Sequence, residues 1–214
     1  VLLSVNIFLL ALVLFINNPF HRLAFNPPDG NGLNPLLIDP GMLIHPPALF
    51  IGYAGLTIPF AFALAGLLAK NENWVFRVRK WSLFSWLFLG FGIFLGGWWS
   101  YTVLGWGGYW GWDPVENASL VPWLISTALL HSVMLQENKR GMKLWNVILA
   151  IGAFETVILA TFITRSGIIS SVHAFGSSGI GSILAMYIGG SLAVSLVILA
   201  YRYDQVKSMN VFQS

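Results

Sequence analysis

Apolar runs separated by short polar joints organise this 214-residue chain. Six of them, 1–17, 44–69, 81–104, 118–135, 144–164 and 181–201, match or approach the roughly 20 apolar residues that a spanning helix needs. The first run is apolar from its opening residue and lacks both an initiator methionine and a basic leader. It therefore reads as a transmembrane helix entered part way, not as a signal peptide. The expected fold is all-α: a polytopic transmembrane helix bundle, 1–214, read as one membrane domain without internal repeats. On this reading the chain is a fragment or split subunit of a longer protein.

Start signals agree with these runs. Asp113-Pro114-Val115-Glu116 has an acidic N-cap, a proline at the first helical position and a glutamate at the third, the pattern of a capping box. His45-Pro46-Pro47 is expected to open the second helix, because prolines are tolerated in a first turn. The basic residues alternate between joints. Lys70, Arg77, Arg79 and Lys80 fall in 70–80, Lys139, Arg140 and Lys143 in 136–143, and Arg202 and Lys207 in the tail. The other joints carry only Arg22 and Arg165. An excess of lysine and arginine marks the cytoplasmic or matrix side. The tryptophan-rich joint and its two companions are thus expected on the opposite face.

Composition sharpens the membrane reading. The chain is 57% hydrophobic and 9% charged, with mean hydropathy +0.74. Soluble domains carry about 25% charged residues. The net charge of +3 therefore concerns orientation in a bilayer and implies no nucleic-acid partner. There is no cysteine, which excludes disulfides, thiolate ligation and a thiol nucleophile, and leaves histidine as the leading metal ligand.

Six of the ten tryptophans lie in "WWSYTVLGWGGYWGWDPVENASLVPWL", residues 98–124, taken as an external segment within the membrane domain. Interfacial belts suit Trp74, Trp81, Trp86 and Trp145 near the basic joints. A belt does not explain Trp106, Trp110 and Trp112 interleaved with glycines, which let the backbone approach closely and pose the rings as a surface. Asp113 and Glu116 read first as caps and second as ligand contacts.

Histidines flank this segment. His45 and His173 share its face and could ligate a planar iron cofactor from both axial sides, or be plain interfacial polar residues. His131 lies inside the fourth apolar run, where ionisable groups are costly and usually functional. It is either a haem ligand, whose partner then comes from elsewhere, or a hydrogen-bonding histidine. Glu155 is also buried and could bond a serine or threonine of a neighbouring helix. Arg165 could pair with haem propionates or simply snorkel to the interface.

The words "HPPALFIGYAG" (45–55), "GWGGYWGWDPVENASLVPWL" (105–124), "TALLHS" (127–132) and "TRSGIISSVHAF" (164–175) resemble the WWD-domain haem-handling membrane proteins. The match is to the cytochrome c haem lyase subunits of CcmF type, in the family's order and over about residues 35–200. The chain departs from the usual run at Tyr109 and Gly111, and keeps Trp106, Trp110, Trp112 and Asp113.

The resemblance implies a function. Such proteins take haem from a membrane-anchored haem chaperone and oversee its attachment to the CxxCH motif of apocytochrome c. They work beside thiol-reducing and apocytochrome-binding maturation subunits. His45 and His173 would ligate the transient substrate haem, and His131 a resident b-type haem whose second ligand lies outside this chain. The remaining part of the lyase subunit and the lipid bilayer are further partners. The implied location is a bacterial inner membrane, or a mitochondrial or other organellar one, with the tryptophan segment periplasmic or in the intermembrane space. The implied mechanism is positioning, because the chain offers no nucleophile. A haem exporter without ligation chemistry is the rival reading, and a structural subunit of a respiratory complex a second.

Overall fold

The computed structural model describes residues 1–207 apart from 21, 31, 34, 104–107, 140 and 172–178. All regular structure among the described residues is helical. Helix α1 (Leu2–Ala11) continues into a wider turn, Leu12–Ile16. After a 3-10 turn at Pro35–Leu37 come α2 (Pro40–Ala69), α3 (Trp74–Val103), α4 (Pro114–Lys139), α5 (Lys143–Arg165), α6 (Gly181–Tyr201) and the short α7 (Tyr203–Val206). Helices α2 to α6 are long and apolar enough to cross a membrane, whereas Leu2–Ile16 is a shorter apolar helix. Among the described residues five full-length spans and one shorter apolar helix thus stand for the six expected runs, the first of which was expected to be entered part way.

The second helix begins earlier than His45-Pro46-Pro47. Asp39 caps it, its carboxylate accepting from the Gly41 amide at 2.7 Å, with Pro40 in the first helical position. Pro46 and Pro47 consequently lie inside α2. Neither carries the N–H that would serve the carbonyls four residues earlier, at Met42 and Leu43. Helix α3 also starts early, absorbing most of the basic joint. Trp74, Val75, Val78 and Ser82 form a buried stripe at helical spacing, while Arg77, Arg79 and Lys80 stay exposed.

Two of the expected belt tryptophans are thereby reassigned. Trp74 is 8% exposed and lies over Gly66. Trp86 is half-buried in mid-helix and donates to Thr127 of α4. Trp81 and Trp145 are exposed, as a belt requires.

Helices α2 and α3 form the tightest seam. A Cβ placed on Gly52 would stand 2.6 Å from the Leu89 amide nitrogen, and one on Gly92 would stand 2.8 Å from that of Leu49. Small residues let backbones approach in this way where lipid provides no hydrophobic drive between helices. Helix α5 is central, touching α2, α4 and α6. Phe60 and Phe154 stack at 4.1 Å between α2 and α5, and Leu56, Leu89, Ala153 and Val157 form a second cluster nearby. Glu155, 7% exposed, accepts a 3.0 Å hydrogen bond from Ser191 of α6, the kind of partner the sequence suggested.

The basic joints meet at one end of the bundle. Arg79 pairs with Glu137 at 2.9 Å and Lys143 with Glu72 at 2.6 Å. The antiparallel run of the spans puts residues 108–113 and 166–171 at the other end.

Gly52→Val should overpack this seam and destabilise the bundle by about 1–3 kcal/mol. Gly189→Val should leave it unchanged, because no atom lies within 4 Å of the corresponding Cβ. Thermal unfolding of both variants in detergent checks the contrast.

Candidate functional site

The end of the bundle opposite the basic joints collects most of the chemistry. His45 is in the second turn of α2, and its Nδ1 lies 2.7 Å from the Gly92 carbonyl oxygen of α3. A carbonyl can only accept, so Nδ1 carries the proton and the lone pair of the neutral ring sits on Nε2. Carbonyl-to-histidine contacts of this kind fix the orientation of metal-binding imidazoles. Gly96, one turn beyond Gly92, makes the seat: a Cβ there would come within 2.5 Å of the imidazole Cε1. Trp99, a further turn along, closes it with ring centroids 5.8 Å apart and a 51° tilt. Gly41 faces the same indole, where a Cβ would stand 2.7 Å from Trp99 Cγ. The Trp99 Nε1–H is buried and has no hydrogen-bond partner among the described residues.

The tryptophan segment folds back against the end of α3. Ser100 donates to the Gly108 carbonyl at 3.4 Å, and a Cβ on Gly97 would lie 3.0 Å from the Tyr109 carbonyl oxygen. Tyr101 and Tyr109 stack at 4.4 Å. Trp110 is half-buried and Trp112 is 73% exposed. Their rings meet edge to face, 6.3 Å apart at 86°, so they form a corner and not one flat shelf. The Trp110 Nε1–H is a second buried donor without a partner among the described residues. Trp112 turns the chain with φ +55°, a left-handed conformation uncommon outside glycine.

That turn is held by the capping box. The Glu116 carboxylate accepts from the amides of Gly111 and Asp113 at 2.9 and 3.1 Å. Asp113 accepts from the Val115 amide at 3.0 Å, and Asn117 donates to the Trp112 carbonyl at 3.1 Å. Asp113 also accepts a 2.6 Å hydrogen bond from Ser171, in the joint after α5. The cap therefore fastens the tryptophan segment to the joint that carries His173. Arg165 ends α5, half-buried in its last turn.

His131 lies elsewhere. It is exposed on α4, 17 residues beyond Pro114, or about 25 Å along the helix at 1.5 Å per residue. Its Nδ1 donates to the Thr127 carbonyl at 2.8 Å, which again leaves the neutral ring's lone pair on Nε2. Beside it, Trp86 and Trp123 stack at 5.6 Å; Trp86 donates to Thr127 Oγ1 at 2.7 Å and Trp123 to the Trp86 carbonyl at 3.2 Å.

The structure thus brings together His45 with Trp99, Trp110 with Trp112, and Asp113 with Ser171. His173 and Trp106 lie outside the described residues. Sequence reasoning missed Trp99, Gly92 and Gly96 as neighbours of His45. Their i, i+4, i+7 spacing placed them on one face of α3, but only the pairing of α2 with α3 turned that face toward His45.

The family model described as cytochrome C assembly protein matches residues 1–170. The cytochrome c-type biogenesis protein CcmF of Pseudomonas aeruginosa is 49% identical over 209 residues, 94% of this chain and 31% of that protein. Its namesake in Escherichia coli is 46% identical over 212 residues, 95% of this chain and 32% of that one. The cytochrome c-type biogenesis protein ccl1 of Rhodobacter capsulatus is 45% identical, covering 98% of this chain and 32% of its own. A solved structure, "Cytochrome c Heme Lyase CcmF", superposes with TM-score 0.75 at 33% identity, over 94% of this chain and 30% of that chain. The chain spans about a third of the length of the relatives it matches.

Asp113→Ala should remove both the cap and the Ser171 tether, destabilising the start of α4 by about 1–2 kcal/mol. Asp113→Asn keeps an acceptor at both contacts and should lose far less. Hydrogen exchange across 111–118 and 166–171 reports the two effects separately.

Proposed function

The chain belongs to the cytochrome c assembly protein family, and from that premise we propose that it is the haem-handling part of a cytochrome c haem lyase. It holds substrate haem on the outer face of an energy-transducing membrane while the haem is joined to the CxxCH motif of apocytochrome c. The observation that carries this reading is His45. Its Nδ1 proton is held by the Gly92 carbonyl, which orients the imidazole, and it sits in a seat walled by Trp99 and opened by Gly96.

His45 binds the iron of the substrate and His173 completes the axial pair. Trp106, Trp110 and Trp112 bound the substrate's faces and edge, and Arg165 meets its propionates. The Asp113–Ser171 hydrogen bond, two residues before His173, supports the reading that both joints work as one unit. Thioether formation adds each S–H across a haem vinyl group, making one C–S and one C–H bond. Both thiols come from the apocytochrome, since this chain has no cysteine. Its contribution is then to hold the vinyls still beside those thiols, which lowers the entropic part of the barrier. A membrane-anchored haem chaperone delivers the substrate, and thiol-reducing and apocytochrome-binding subunits prepare its acceptor.

The residues around His131 fit a resident b-type haem. A neutral imidazole is oriented by Thr127 on an exposed face of α4, where a helix from the rest of the lyase subunit can bring the second ligand. When bound, that group supplies an electron to keep the substrate reduced. By the lysine and arginine bias, the Arg79–Glu137 end faces the cytoplasm or matrix, and the His45 end the periplasm or intermembrane space.

Replacing His45 or His173 by alanine should abolish c-type cytochrome production while the protein stays in the membrane at normal abundance. Haem-stained gels of membrane fractions, with an immunoblot for the protein, measure both. Normal cytochrome c in the double mutant would sink the lyase reading and favour a transporter without ligation chemistry.

A further inference from the structure

Of the seven buried polar side-chain atoms without a partner among the described residues, two are indole nitrogens at the His45 end that the haem-holding reading leaves without a role. An indole N–H can only donate, and buried tryptophans usually find an acceptor for it. A buried donor left unmade costs about 1–3 kcal/mol. Trp99 and Trp110 each carry one among the described residues. Both lie at the same end of the bundle. The strand of chain 108–110 rests on α3 at Gly97 and Ser100, on either side of Trp99 along the sequence.

Trp99 is the one of the two beside His45. Its indole packs on Gly41, where a Cβ would stand 2.7 Å from Cγ, and tilts 51° to the imidazole of His45 at 5.8 Å between centroids. Other tryptophans of the chain behave differently: Trp86 and Trp123 spend their N–H groups on Thr127 and on the Trp86 carbonyl. The site beside His45 therefore holds a buried indole donor next to the imidazole that the haem-holding reading assigns to iron. A ligand bound there through its iron brings its own acceptors, and the only oxygens on haem are those of its two propionates.

We propose that Trp99 is a positioning and specificity residue of the haem site, whose ring holds the His45 imidazole and whose Nε1–H donates to a propionate of the substrate. The proposal rests on the haem-holding reading. It assigns Trp99 a contact that selects acid-bearing porphyrins and sets the rotation of the macrocycle about the iron–His45 bond. That rotation decides which way the vinyl groups face. A hydrogen bond to a charged acceptor is stronger than one between neutral groups, so its removal should be visible in affinity.

The test compares haem with iron etioporphyrin, which carries alkyl groups in place of acids, on the full-length protein in nanodiscs. Wild type should prefer haem. Trp99→Phe keeps a ring against His45 but lacks the donor, and should narrow that preference about tenfold while binding iron etioporphyrin as wild type does. Trp98→Phe, the same change at the neighbouring exposed position, should leave the preference intact, and thermal melting confirms that both variants fold. Independently, the ¹⁵N-indole resonance of Trp99 should move on titration with diamagnetic zinc protoporphyrin and stay in place with zinc etioporphyrin. An unchanged preference in folded Trp99→Phe, with haem binding still dependent on His45, overturns the role of Trp99 alone. A melted Trp99→Phe hands the decision to the indole resonance, where equal shifts with both porphyrins overturn it. Absence of any His45-dependent haem binding in wild type overturns this inference together with the reading beneath it.

Discussion

The close approach of α2 and α3 is the contact on which the rest of the architecture depends. Gly52 and Gly92 interdigitate with Leu89 and Leu49 so closely that no Cβ fits at either glycine. That spacing lets a short imidazole reach across from α2 to a backbone carbonyl of α3. The same two helices then continue past the seam, so Gly96 and Trp99 arrive beside His45 by helical periodicity. A seam wider by one methyl group would leave His45 without its acceptor and Trp99 without its neighbour. Packing of the two helices and the orientation of the His45 imidazole are consequently one event.

A second constraint acts throughout the spans. Hydrocarbon offers no hydrogen bonds, so buried hydroxyls must find partners within the protein. Most find them locally, donating back along their own helix: Ser85 to the Trp81 carbonyl, Ser126 to Trp123, Thr156 to Gly152 and Ser195 to Ser191. The few polar contacts that cross between helices are concentrated where function or registration needs them. Trp86 meets Thr127 beside His131, Asn146 meets Gln136 near the basic end, and Ser191 meets Glu155 between α5 and α6. At the end opposite the basic joints further polar contacts lie in the joints between helices. There the backbone is held by Asp113 and Glu116, and two indole donors are left over.

Much of this was legible in the sequence. Apolar runs report spans because a helix must cover the bilayer with apolar side chains. The box at Asp113–Glu116 reported its own hydrogen bonds, since a cap is made by residues adjacent in the chain. Asp39-Pro40 has the cap and the proline of that box but Met42 in place of its glutamate, a weaker signal than His45-Pro46-Pro47, and it is where the helix starts. Trp74 and Trp86 misled because a tryptophan near a basic joint looks the same in sequence whether its ring meets lipid or a neighbouring helix.

By itself the sequence determined what depends on local chemistry: the helical class, the membrane setting, the charge asymmetry of the joints and the cap of α4. Only the tertiary structure decided which faces meet. It put Trp99 against His45, set Trp110 and Trp112 at right angles, joined Asp113 to Ser171 across 58 residues and left His131 on an outer surface. The reason is physical. Each helix presents several apolar faces of similar hydropathy, and the choice among them is made by glycine positions that admit or refuse a partner at close range, a property of two helices at once.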